Sequence, residues 1–145
     1  MPSSLARGWE LDLAAQPVDR VTLLVSYQWL NAKTQSGLAV RNVPQGGTYK
    51  AAAKYAFPSA VLKGLEAGAN YEHINDSRVG DTNNTFRLPG YDLVGVFASY
   101  RRERWRFQVN VDNVADKWYV AGSTAQQFMR SGAPRSWHFS TGYTF

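Results

Sequence analysis

Trp105-Arg106-Phe107-Gln108-Val109-Asn110-Val111-Asp112 alternates apolar and polar side chains at every step. Successive side chains of a β-strand point to opposite faces, so this stretch reads as a strand with one apolar and one polar face. Upstream of it, Arg101 to Glu103 reads as a tight hairpin. Before the hairpin, a run from about Asp92 to Tyr100 is apolar on both faces and supplies the partner strand. The decisive unit is therefore an antiparallel pair.

The same period recurs on both sides, giving seven segments in all. Downstream, Trp137, Phe139, Thr141, Tyr143 and Phe145 alternate with His138, Ser140, Gly142 and Thr144. Upstream, Leu65, Ala67, Ala69 and Tyr71 alternate with Glu66, Gly68, Asn70 and Glu72. Before that, Tyr49, Ala51, Ala53, Tyr55 and Phe57 alternate with Lys50, Ala52 and Lys54. The first two segments set Leu23, Val25, Tyr27 and Trp29 against Thr22, Leu24, Ser26 and Gln28, and Trp9, Leu11 and Leu13 against Glu10 and Asp12. A helix would scatter Glu66, Gly68, Asn70 and Glu72 around its axis instead of sharing one face among them.

Composition narrows the class. Of 145 residues, 44% are hydrophobic and 19% charged, which excludes a disordered chain. No apolar run exceeds four residues (Trp118 to Ala121), whereas a membrane helix needs about 20, so a helical membrane protein is excluded. A membrane barrel is compatible, because alternating strands average to neutral hydropathy. The 14% aromatic content suits interfacial girdles and equally suits a tyrosine-rich soluble sandwich. There is no cysteine for a disulfide or thiolate metal site. The net charge is +5, but Lys and Arg are scattered apart from Arg101, Arg102 and Arg104, so nucleic acid is not expected as a partner.

Connections between the segments alternate short and long. Gln16 to Asp19, Pro58 to Leu62 and Arg101 to Glu103 are short; residues 34–45, 76–89 and 118–133 are long. Outer-membrane barrels have this asymmetry, with short periplasmic turns and longer extracellular loops. On that reading the last strand ends on the periplasmic side. Alternation alone does not say which face is outside. A soluble barrel or sandwich turns its apolar face inward, and a membrane barrel with a wet lumen does the reverse. Seven antiparallel strands leave the first and last running the same way, so they cannot close antiparallel as even-numbered barrels do. With no apolar leader near Met1, this predicts a piece of a larger precursor.

Several stretches carry a family resemblance. Asn84 to Val94, Ala98-Ser-Tyr100 and Glu103 to Tyr119 resemble the end of TonB-dependent ferric-siderophore receptors. Asn110 to Tyr119 is the most specific part. Gly132-Ala-Pro-Arg135, Asn42-Val-Pro44 and Arg7-Gly-Trp-Glu10 are similar to the family as well. The resemblance covers essentially residues 1–145 and is to the C-terminal barrel segment of a ferrichrome-type receptor. It implies an all-β fold, an antiparallel up-and-down meander of about seven strands within a transmembrane barrel of roughly 22 strands. It further implies a bacterial outer-membrane location and transport of a ferric siderophore, with no resident cofactor. The implied partners are membrane lipid, the outer-membrane assembly machinery, and TonB through a plug region that is absent from this sequence along with the signal peptide. Two departures stand out. The last long loop has Phe128-Met-Arg-Ser131 where many relatives carry a cysteine pair and paired tyrosines, and Val114 and Ala115 replace leucine and phenylalanine.

The candidate residues follow. Trp137, Phe139, Tyr143 and the C-terminal Phe145 resemble the assembly signal of outer-membrane proteins. Arg78, Arg87 and Arg130 could meet an anionic siderophore, and Tyr119 or Phe128 could stack on it. His73 and His138 lie on different strands without metal-pair spacing, so no metal site is expected. Glu66 and Glu72 share a face but sit about 20 Å apart along the strand, and no nucleophile motif accompanies them, so an enzyme is not expected. Two further readings stand beside the receptor segment: a small stand-alone outer-membrane barrel with a structural or adhesive role, and a soluble β-sandwich binding module.

Overall fold

The computed structural model describes residues 4–35, 37, 40, 43–44, 46–58, 62–81, 84–123 and 128–145. Among the described residues eleven strands occur in this order: β1 Ser4–Ala15, β2 Val21–Thr34, β3 Gly46–Ala56, β4 Leu65–Ile74, β5 Ser77–Asp81, β6 Asn84–Leu88, β7 Tyr91–Arg102, β8 Trp105–Asp112, β9 Val120–Ser123, β10 Met129–Ser131 and β11 Ser136–Tyr143. Seven of them form one sheet in the order β1-β2-β3-β4-β7-β8-β11, and every pair is antiparallel. The seven-strand meander expected from the sequence is present, and β1 and β11 are its two edges.

The register turns alternation into two continuous faces. Leu13, Val25, Ala51, Tyr71 and Val94 lie side by side across five strands, and Ala15, Leu23, Ala53, Ala69, Val96, Val111 and Trp137 form the next row. On the opposite face, Asp12, Ser26, Lys50 and Glu72 share a row. A one-residue slip in any pair would move a whole strand's apolar set to the other side, so the pattern holds the register.

No second layer covers the apolar face among the described residues. Among the described residues, the buried apolar side chains are only Ala32, Val79, Leu88 and Val111. Leu11 is 61% exposed, Val25 46% and Phe107 48%. A sandwich would bury these side chains against a facing sheet about 10 Å away. The soluble sandwich is therefore not the fold. A stand-alone closed barrel is not formed either, since β1 and β11 are not paired with each other.

Short turns join one end of the strands. Glu103 and Arg104 alone separate the paired residues Arg102 and Trp105, and Glu103 has φ 54°. At the β3–β4 end, Gly64 has φ 90° and lies so close to the Arg101 carbonyl that a Cβ would be 2.0 Å from its oxygen. Backbone sign and space both demand glycine there. Residues 59–61 of this connection lie outside the described residues.

At the other end, two connections read as long loops are strand hairpins. β5 pairs with β6 and β9 with β10, the latter with a register shift between Arg130 and Ser131. The Asp, Asn, Gly and Thr content of residues 76–89 reads as loop, but buried Val79 and Leu88 give the β5–β6 hairpin an apolar anchor. Within the 34–45 connection, Pro44 bridges to Ser77, while residues 36, 38–39, 41–42 and 45 lie outside the described residues, Asn42 of the family-like Asn42-Val-Pro44 included.

Candidate functional site

The ionic face carries pairs between neighbouring strands. Lys50 Nζ lies 2.9 Å from Glu72 Oε1, directly across β3–β4, and Lys54 Nζ lies 3.2 Å from Glu66 Oε1 on the diagonal. Along β8, Arg106 donates to Gln108 Oε1 and Gln108 donates to Asn110 Oδ1, each at 2.9 Å. His138 Nε2 sits 3.3 Å from Asp112 Oδ2. Each pair is partly exposed, and isolated pairs of this kind stabilise by no more than about 1 kcal/mol. Glu66 and Glu72 are each paired with a lysine on the ionic face. Among the described residues no cluster of three or more metal-ligating side chains occurs.

The apolar face is bounded by aromatic rings at both ends. Near the hairpin end, Trp9, Tyr27 and Tyr49 run in sequence across β1–β3, with ring centroids 4.8 and 4.7 Å apart. The Tyr27 ring fills the space over Gly47, where a Cβ would clash with it. Near the short-turn end, Tyr55 meets Phe57 at 5.1 Å, and Trp105 meets Tyr143 at 4.9 Å. Past Tyr143 comes Phe145, edge-on at 5.3 Å and fully exposed.

Sequence reading missed a polar node on this face. Asp92 is the second residue of β7, and its Oδ1 accepts from Tyr71 Oη and His73 Nδ1, both at 2.7 Å. Lys117 Nζ is 3.6 Å from its other oxygen, and His73 Nε2 is 2.8 Å from Asn75 Oδ1. The residues come from three separate segments, and only the register across β4 and β7 reveals them as neighbours.

The family-like block around Asn110 to Tyr119 is a structural clip. Asn113 (φ 49°) and Asp116 (φ 52°) take left-handed backbone, which Asn and Asp tolerate best among residues with a Cβ. The buried Asn113 amide donates to Lys117 O at 2.9 Å and Ala133 O at 3.0 Å, and its Oδ1 accepts Lys117 N at 2.9 Å. Asp116 Oδ1 accepts Arg135 N at 2.8 Å. One asparagine and one aspartate thus tie the exit of β8 to the entry of β11. The block's specificity comes from this hydrogen bonding.

The candidate loop residues lie on or beside the two hairpins. Arg78 and Arg87 face each other directly across β5–β6. Arg87 Nε holds Asp76 Oδ2 at 2.8 Å, while Arg78, among the described residues, is in no ion pair. Tyr119 is half-buried, meets Tyr91 at a tilt with ring centroids 4.3 Å apart and lies over Gly132 so tightly that a Cβ there would sit 1.9 Å from the ring. Phe128 is 70% exposed, and Arg130 is exposed on β10. Trp118, 75% exposed beside the clip, was not singled out by sequence, where it reads as part of an apolar run.

On β11 the candidate aromatics all fall on the apolar face. Trp137 pairs with Val111, Phe139 with Val109 and Tyr143 with Trp105. The strand's other edge has no partner strand among the described residues.

Residues 3–114 match the family described as TonB dependent receptor-like, beta-barrel. The chain is 29% identical to the ferrioxamine receptor of Yersinia enterocolitica over 97% of its own length and 21% of that protein. It is 27% identical to a ferrioxamine B receptor of Salmonella typhimurium, with the same coverage. The chain thus spans about a fifth of the length of these curated relatives. Two solved structures share the fold. The ferripyoverdine receptor of the Pseudomonas aeruginosa outer membrane superposes with TM-score 0.80 at 22% identity, over 98% of this chain and 20% of that one. The ferric-catecholate import receptor Fiu of E. coli K12 gives TM-score 0.81 at 18% identity, over 99% and 21%.

Proposed function

Because the chain belongs to the TonB-dependent receptor-like β-barrel family, we propose that it is the C-terminal run of barrel wall in an outer-membrane receptor that takes up a ferric siderophore. The observation that carries this reading is the uncovered apolar face backed by an ionic one. A soluble protein does not leave so large an apolar patch bare, whereas a barrel wall turns it to lipid and its ionic face to a wet lumen. From Trp137 to Phe145 the aromatic span is about 27 Å along β11, or about 20 Å along the axis of a barrel with strands tilted near 40°. That approaches the roughly 25 Å apolar band such barrels present.

In this reading the hairpin end faces outward and the short turns face the periplasm. The Asp92 node then sits where the wall leaves lipid, a place where a carboxylate beside His73 and Lys117 is tolerated. Phe128, Trp118, Arg78 and Arg130 have exposed side chains that would meet a ligand, while Arg87 and Tyr119 are held by Asp76 and by Tyr91. The relatives' names favour a ferrioxamine as the transported ligand. The protein would act by binding and gating, with TonB acting on a plug supplied by another part of the receptor, and β11 with Phe145 would be read by the outer-membrane assembly machinery.

The test is accumulation of radiolabelled iron from ferrioxamine by cells whose only candidate receptor is the full-length protein. The reading expects uptake that disappears when TonB is deleted. Uptake that survives loss of TonB would overturn it, as would failure to take up iron from ferrioxamine, ferripyoverdine and ferric-catecholate complexes alike.

A further inference from the structure

The densest cluster of cations in the sequence, Arg101, Arg102, Arg104 and Arg106, surrounds the β7–β8 hairpin. Register splits it between the faces. Arg101 lies directly opposite Arg106 on the ionic face, whereas Arg102 lies opposite Trp105 on the apolar one. Lys63 is brought to the same end, because the carbonyl of the next residue, Gly64, accepts Arg101 N at 2.8 Å. Both Lys63 and Arg102 are exposed, and among the described residues neither is in an ion pair with Glu103 or any other carboxylate. Next to Arg102 the apolar face is hollowed. Ala98 and Thr141 are small where Tyr100, Phe107 and Phe139 are large, and with Leu65 these residues line a groove of about 490 Å³. Tyr100 is two residues from Arg102, or about 7 Å along the strand. Trp105 and Tyr143 stand in the same row as Arg102, their ring centroids 4.9 Å apart.

We propose that Arg102 and Lys63 bind the phosphate of an anionic diacyl phospholipid in the inner leaflet, with one of its acyl chains laid in the groove between Tyr100, Phe107 and Phe139. This rests on the reading that the apolar face meets lipid and that the short turns face the periplasm. Continuity and charge choose the occupant. The groove opens on the apolar wall and ends at a row holding two aromatics and a guanidinium, the order in which a phospholipid presents its chains, its interface and its phosphate. A guanidinium forks onto two phosphate oxygens, and an ammonium adds a point charge. A zwitterionic lipid would bring its own cation against Arg102, Lys63 and Arg104, which like-charge repulsion disfavours. A soluble anion would gain nothing from the groove, so the apolar half of the site selects a lipid.

The test uses native mass spectrometry of the full-length receptor in detergent, titrated with phosphatidylglycerol. Wild type should retain the lipid, and K63Q/R102Q should weaken binding at least about tenfold, since two charge-assisted contacts are lost. The charge-keeping pair K63R/R102K should largely restore it. R101Q/R106Q removes as much charge from the opposite face and should leave binding unchanged. Ala98→Trp should weaken binding by filling the groove with both cations still in place. Phosphatidylethanolamine should bind wild type as poorly as phosphatidylglycerol binds K63Q/R102Q, and millimolar glycerol phosphate should not compete. Equal phosphatidylglycerol binding by wild type and K63Q/R102Q overturns the site. So do an equal loss in R101Q/R106Q, undiminished binding by Ala98→Trp, equal binding of phosphatidylethanolamine, and competition by glycerol phosphate. A spin label at Leu13, away from the groove on β1, separates the site from the reading beneath it. If oxygen in the bilayer reaches the label while K63Q/R102Q binds normally, only the site is wrong; if oxygen does not reach it, the lipid-facing reading has failed.

Discussion

Replacing Val25 with arginine should cost the receptor far more than replacing its neighbour Ser26. Val25 lies midway between Trp29 and Val21 on β2, in a row with Leu13, Ala51 and Tyr71. It is 46% exposed, and nothing among the described residues covers it. If that exposure is to lipid, an arginine there sits near the bilayer midplane and costs about 2–4 kcal/mol, or roughly 30- to 900-fold in the folding equilibrium. Ser26 faces the other way, between Asp12 and Lys50. An arginine there meets water and a carboxylate and should stay within about 0.5 kcal/mol of wild type. The cost should also depend on depth, so Trp29→Arg, at the aromatic boundary, should pay only the aromatic's own packing and about 0–1 kcal/mol for its charge. The assay is the folded fraction of the full-length receptor in phosphatidylcholine vesicles across a guanidinium series, scored by heat-modifiable migration. Equal midpoints for V25R and S26R, or a larger loss for S26R, would refute the assignment of faces.

Three further outcomes are expected. Asn113→Ala removes three hydrogen bonds and a side chain suited to left-handed backbone, so it should destabilise the clip by about 2–3 kcal/mol; limited proteolysis should then cut within residues 113–135, and an unchanged digestion pattern would count against the clip. Gly132→Ala should cost about 1–3 kcal/mol by driving a Cβ into Tyr119, and a Tyr119→Ala background should relieve it; additivity of the two in a double-mutant cycle would contradict the packing. Deleting Phe145 should lower the amount of folded receptor in the outer-membrane fraction more than Thr144→Ala does, and equal amounts would remove the assembly role from the terminal aromatic.

Much of this architecture was legible in the residues. Period-2 alternation such as Trp105 to Asp112 reports one apolar face because strand geometry forces it. The Lys50–Glu72 and Lys54–Glu66 pairs could be anticipated, since neighbouring strands with opposite charges on one face bring them within reach. The β5–β6 hairpin was not legible, because pairing there depends on Val79 and Leu88 becoming buried, which a loop-like composition of Asp, Asn and Gly conceals. The Asp92 node was hidden for another reason. Tyr71, His73, Asp92 and Lys117 meet only through the β4–β7 register and the clip, and neither is a local property of the chain. The ligand candidates were only half legible: residue type pointed to Arg87 and Tyr119, but not to the partners, Asp76 and Tyr91, that already hold them.

The claim beneath all of this is that one face of the sheet meets lipid and the other meets water. The chain has no cysteine, so single cysteines can be introduced at residues 22 to 28 of β2 in a cysteine-free full-length receptor and spin-labelled in vesicles. Labels at 23, 25 and 27 should collide with membrane-dissolved oxygen, and labels at 22, 24, 26 and 28 should collide with a water-soluble nickel chelate, a strict period of two. The same period with the phase reversed would contradict the account, and so would labels at 23, 25 and 27 shielded from both reagents, as in a core closed by another layer of protein.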